Sequence, residues 1–166
     1  MHKGRILQVI SLGIVAVLVL GTRMTYALLG SAPKTGIRIK IKKEWKGSYS
    51  GYPKAARLAI YNAEEWKDIW EKVNALRLPK PELPKINFEK EMVIAVFMGE
   101  RHSGGYSIEI TNILKTEKEI VVAVEEKEPS FGSLRTMALT SPYHIVVIKK
   151  YPLAVNFQSP QNSQEE

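Results

Sequence analysis

The chain has 166 residues, a formal charge of +7 and no cysteine. That length suits one domain with a core of its own, and the missing cysteine excludes disulfides, a thiol nucleophile and cysteine-ligated metal centres. Lys3, Arg5 and Arg23 supply three of the 24 basic residues and residues 1–27 hold no acid, so the remainder carries +4 spread along its length, too thin a surplus for a nucleic-acid footprint.

The first segment reads as an export signal. Lys3 and Arg5 precede the apolar run Ile6 to Leu20, and Thr25-Tyr26-Ala27 stands where a signal peptidase would cut. The run is shorter than the ~20 residues of a spanning helix, although its continuation through Gly21 and Thr22 leaves a retained anchor as the alternative. Residues 1–27 are therefore expected to be a signal peptide or membrane anchor, 28–36 a linker, 37–152 the domain and 153–166 a polar tail. The domain is expected outside the cytoplasm, secreted or in the cell envelope, touching a membrane only through an uncleaved first segment.

In chain order, Ile37, Ile39 and Ile41 alternate with Arg38, Lys40 and Lys42 as in a half-buried strand. WKGSYSGYPK, residues 45–54, reads as a loop, and Arg57 to Tyr61 as a second strand that closes a hairpin with the first. Asn62 and Glu65 fit a helix N-terminus. Trp66, Ile69, Trp70 and Val73 then fall on one helical face, which places Trp66 and Trp70 in the core beneath a sheet. Pro79, Pro81 and Pro84 end the helical region and make 78–85 an extended connector. Met92 to Met98 is apolar throughout, as in a central strand covered on both faces. Tyr106, Ile108 and Ile110 form the inner face of the next strand, and Ile120, Val122 and Val124 that of another after a turn near Lys115 to Lys118. Glu125 to Thr140 reads as irregular and Tyr143 to Lys149 as the last strand. The order β-β-α-β-β-β-β implies an α+β fold, mainly antiparallel and sandwich-like, with one amphipathic helix packed on it.

GERHSGGYSIEI, residues 99–110, carries the functional question. A phosphate-cradling loop needs a lysine and a hydroxyl after its last glycine, and a helix next; here Tyr106 and a strand follow. Ser103 has His102 beside it, but neighbours in extended chain point apart and the strand-turn-helix elbow is missing. Outside the leader the only histidines are His102 and His144, without zinc or calcium spacing, and His144 reads as a strand residue with a local hydrogen bond. No catalytic centre, metal or cofactor is expected. Gly104-Gly105 is expected to supply the positive φ of a chain reversal, yet the loop is longer than a tight turn requires. Arg101, His102, Ser103, Gly104 and Gly105, joined by Phe131 and Tyr143 from the 128–143 loop, make a candidate surface for a protein partner. Tyr106 is assigned to the core.

Several segments in this order resemble the PrcB family C-terminal domain. They are Glu65-Trp66 with Trp70, the strand Val93 to Gly99, Ser103-Gly104-Gly105-Tyr106-Ser107-Ile108, Val121-Ala123-Val124 followed by Pro129 and Gly132, and Thr140-Ser141-Pro142-Tyr143-His144-Ile145-Val146, together spanning roughly 45–150. The family takes its name from an accessory subunit of a bacterial surface protease complex. The resemblance implies a non-catalytic exported domain that associates with a protease or another envelope protein. Family members are often lipoproteins, and this chain departs by lacking the lipid-bearing cysteine. A small β-rich peptidase inhibitor and a structural envelope protein without a protease partner are the alternatives.

Overall fold

The computed structural model describes residues 36–130 and 137–159. The expected leader, Phe131 with Gly132, and residues 160–166 lie outside them. The described residues belong to one compact unit. Its elements are β1 (Ile37–Arg38), β2 (Lys43–Gly47), β3 (Ala56–Ile60), α1 (Ala63–Val73), β4 (Glu91–Phe97), β5 (Ser107–Lys115), β6 (Glu119–Lys127), β7 (Tyr143–Lys149) and β8 (Ala154–Gln158). They build two four-stranded sheets, β1-β5-β6-β8 and β2-β7-β4-β3. All strand pairs are antiparallel except β6 with β8.

The apolar run at β4 organises the layers. Side chains alternate across a strand, so Met92, Ile94 and Val96 enter a core between the two sheets, while Val93, Ala95 and Phe97 face the helix. Its neighbour β7 divides likewise, with Val146 and Ile148 inward and Tyr143, Ile145 and Val147 toward α1. The order is thus helix, sheet, sheet, in agreement with the mainly antiparallel α+β class.

The helix is built as its pattern implies. Asn62 Oδ1 accepts the Glu65 N–H at 2.9 Å, and Trp66, Ile69, Trp70 and Val73 are all buried. The prolines do not end it. Asn74 does, returning its own backbone N–H and its Nδ2 to the Trp70 carbonyl. The proline connector instead runs back along the helix and supplies acceptors: Trp66 Nε1 donates to Pro84 O at 3.0 Å and Trp70 Nε1 to Pro81 O at 3.3 Å. Both indoles can therefore be buried with their polar atoms paired.

Four expectations are corrected. The first strand is broken: β1 pairs with β5, the chain crosses over through buried Ile39, and β2 pairs with β7 in the other sheet. The expected hairpin does not form, since β3 pairs with β4. Trp45, placed in the loop, belongs to β2 and packs on the helix, 5.7 Å from Trp66 and 5.4 Å from Trp70 between centroids. At the other end, 154–158 leave the expected tail to become β8, with Val155 and Phe157 packed on the core between the sheets. In addition, β5 carries a bulge between Ile110 and Asn112. The extra residue shifts the parity, so Ile113 joins Ile108 and Ile110 on the inner face.

Candidate functional site

β4 ends, and β5 and β7 begin, at one end of the sandwich, and three loops meet there: 48–55, 99–106 and 137–142. Backbone bonds tie them. Arg101 and Thr140 exchange a pair of N–H to carbonyl bonds at 2.8 Å each, Glu100 N–H donates to Pro53 O at 3.1 Å, and Ser141 N–H donates to Ser48 O at 2.8 Å. Thr140 Oγ1 donates to Ser103 O at 2.9 Å. A buried hydroxyl pair closes the cluster: Ser141 Oγ donates to Tyr52 O at 3.0 Å, which leaves it to accept from Ser50 Oγ at 2.8 Å. Gly99 turns the chain with a φ of +76°, and Gly105, not Gly104, supplies the other positive φ, +91°.

The sequence candidates separate on this frame. His102 is exposed, Arg101, Ser103 and Gly104 are half-buried, and Gly105 is exposed. The Arg101 guanidinium lies over the Tyr106 ring, 5.7 Å from its centroid. Tyr106, assigned to the core, is only partly buried against it. Tyr143, counted with the binding candidates, belongs to the interior: it is 3% exposed, stacks with Phe97, and its hydroxyl accepts from Arg77 Nη2 at 3.1 Å. Its ring is therefore a packing element first, with only an edge left toward the cleft beside Gly47.

The same end also exposes apolar side chains. Tyr49 stands between the residues that bind Ser141, and Met137 and Leu139 lead into the Arg101–Thr140 bridge. Leu76 and Leu78 flank Arg77, which holds Tyr143. Their exposures run from 56% for Leu139 to 94% for Leu78 and Met137. Sequence patterning misses them because single apolar residues in loops carry no period. Beside this end a cleft of about 230 Å³ is lined by Lys46 to Ser48, by Tyr106 to Glu109 and by Pro142 and Tyr143.

A second polar group lies between the sheets and joins residues that sequence reading left apart. His144 is buried, and its Nδ1 accepts the Ile110 backbone N–H at 2.8 Å. That bond fixes the neutral tautomer with the proton on Nε2. Nε2 lies 3.2 Å from Glu44 Oε1, outside the direction of a well-formed hydrogen bond. Lys46 Nζ stands 3.1 Å from Glu109 and 3.4 Å from Glu44. Its hydrogen bond and charge hold the Glu109 carboxyl below the usual carboxylate range. Glu44, Glu109 and His144 offer ligand atoms within 4.8 Å of one another, but the chemistry opposes a metal. Ligation through Nε2 would remove the proton that the Nδ1 bond requires, and the Lys46 ammonium already balances the carboxylates.

Burial pushes the His144 pKa down from its ordinary value of 6.5, against the pull of Glu44. The unfolded chain therefore takes up this proton before the folded one does, so the contribution is intact above pH 6.5 and stability falls as pH drops below it. The expected limiting slope is about 1.4 kcal/mol per pH unit for one proton. Urea midpoints measured from pH 7.5 to 5 check this; His144→Gln should flatten the decline in that window, and an equal slope in both proteins contradicts the assignment.

No curated protein and no solved structure matches the chain. Residues 92–149, from β4 through β7 and including two of the three converging loops, match the model described as PrcB C-terminal, which bears out the resemblance over that stretch.

Proposed function

We propose that this PrcB-like chain is a non-catalytic, exported accessory protein that holds a protein partner, a protease or another envelope protein, at the three-loop end. The observation that carries the reading is a rigid frame around exposed apolar side chains. The loops bond to one another through their backbones and the Ser50–Ser141 pair, while Tyr49, Met137 and Leu139 remain exposed beside His102. Preorganised loops lose little entropy on binding, and aromatic, Met and Arg side chains are enriched in interfaces. The three buried hydroxyls of this end are engaged in structure: Ser50 and Ser141 bond each other, and Thr140 holds the Ser103 carbonyl. That arrangement supports binding over acyl transfer, which needs a hydroxyl facing a base. Export rests on the charged-then-apolar leader read from the sequence.

Affinity capture of the tagged full chain from its own envelope tests the reading. The triple variant Tyr49→Ser, Met137→Ser, Leu139→Ser is expected to lose a stoichiometric partner at least tenfold, since central anchors contribute about 2 kcal/mol or more. Its melting temperature should stay within about 2 °C, because all three side chains are more than half exposed. Unchanged recovery overturns the proposal. Where the partner is a protease, its rate with and without stoichiometric protein separates an accessory subunit, which leaves or raises it, from an inhibitor.

A further inference from the structure

We infer that the opposite end of the sandwich is a docking surface for an anionic lipid bilayer. The charge surplus that looks thin along the sequence is gathered there by the fold. β2 begins, and β4 and β7 begin and end, at this edge: Lys43 pairs with Val147, and Glu91 with Lys149. Lys42 N–H donates to Val147 O, and Lys150 N–H to Lys90 O at 2.9 Å. Lys43 Nζ reaches the Lys85 carbonyl at 3.0 Å. Six lysines, Lys42, Lys43, Lys85, Lys90, Lys149 and Lys150, thus share one end with Glu89 and Glu91, while the β5–β6 turn at the same end adds Lys115 and Lys118 against Glu117 and Glu119 and leaves the surplus unchanged. Among the described residues only Lys42 of the six pairs with a carboxylate, Glu91, at 2.8 Å. The ammoniums of Lys43 and Lys150 bond to backbone carbonyls, which orients them without cancelling their charge.

Two further features select a bilayer over a small anion. The ammoniums of Lys42, Lys43 and Lys150 are held on three separate acceptors, Glu91, the Lys85 carbonyl and the Phe88 carbonyl, and so are not directed at one shared point as a phosphate site would require. The chain also enters the domain at this end, where exposed Ile37 pairs with Lys115, so an apolar side chain accompanies the charges as in interfacial membrane contacts. A domain resting on this edge holds its loops away from the lipid by the length of β4, roughly 20 Å at about 3.3 Å per residue.

The test uses the full chain and sedimentation with vesicles of phosphatidylcholine, alone or mixed with phosphatidylglycerol. The N-terminal apolar run is common to every protein compared, so differences report the lysines. Each lysine near an anionic surface contributes about fivefold. The variant Lys43→Gln, Lys85→Gln, Lys90→Gln, Lys149→Gln is therefore expected to bind mixed vesicles at least tenfold more weakly, and to bind pure phosphatidylcholine as wild type does. The wild-type advantage should vanish as salt rises from about 0.1 M to 1 M, where the screening length falls from about 10 Å to 3 Å. A second variant with the same charge change elsewhere, Lys54→Gln, Lys67→Gln, Lys72→Gln, Lys127→Gln, should bind as wild type. Equal loss in both variants, or equal binding to both lipids by wild type, overturns the inference. Circular dichroism confirms that both variants are folded.

Discussion

Gly99→Val is expected to destabilise the domain by about 3 kcal/mol or more and to lower its melting temperature by roughly 10 °C. The backbone at Gly99 has a φ of +76°, where a β-branched side chain is strained. A Cβ there would stand 2.8 Å from the Ala55 nitrogen, and 3.0 Å from both the Lys54 carbonyl carbon and Pro53 O. All three are main-chain atoms, so no side chain can swing aside, and the 48–55 loop must move away. With it goes the Glu100 to Pro53 hydrogen bond, so partner capture should fall together with stability. Gly104→Ala is the control, since Gly104 has no positive φ. Thermal unfolding checks the pair; a Gly99→Val protein melting within about 2 °C of wild type contradicts the close approach of the loops.

Trp66→Ala should cost about 3 to 5 kcal/mol, the range for emptying a buried large side chain. Trp66 is 1% exposed and sits 5.7 Å from Trp45 and 5.2 Å from Trp70 between ring centroids. Alanine leaves a cavity between helix and sheet and takes the Nε1–H from Pro84 O, which loosens the proline connector as well. Trp66→Phe keeps a ring and is expected to cost less than half as much. Denaturant unfolding followed by circular dichroism measures both; a loss below about 1 kcal/mol for alanine means that the three indoles do not form a packed layer.

The helix and the central strands were legible because their periods are long and unbroken. Trp66, Ile69, Trp70 and Val73 admit one helical face, and six apolar residues in a row in β4, Met92 to Phe97, require cover on both sides. The strand at 37–41 was misread for a physical reason: alternation reports which face is buried, and it persisted while the chain crossed from one sheet to the other at Ile39. β8 escapes the pattern because its alternation, Val155 and Phe157 against Asn156 and Gln158, is only two repeats long and runs directly into a polar tail. The loop end was half legible. The length of 99–106 and its glycines pointed to it, but Tyr143 looked like a binding residue until strand parity turned it toward the helix. Glu44, Glu109 and His144 come from three strands of two sheets, and no spacing in the sequence announces such a meeting.

The recognition surface is tested most directly by site-specific photo-crosslinking in the native envelope. A photoreactive amino acid is placed at Tyr49 or Leu139 on the loop end, and at Lys118 on the β5–β6 turn as the comparison. The account predicts one protein adduct shared by the Tyr49 and Leu139 positions and missing from Lys118. Adducts from Lys118 alone, or the same adducts from all three positions, contradict a partner held at the three-loop end.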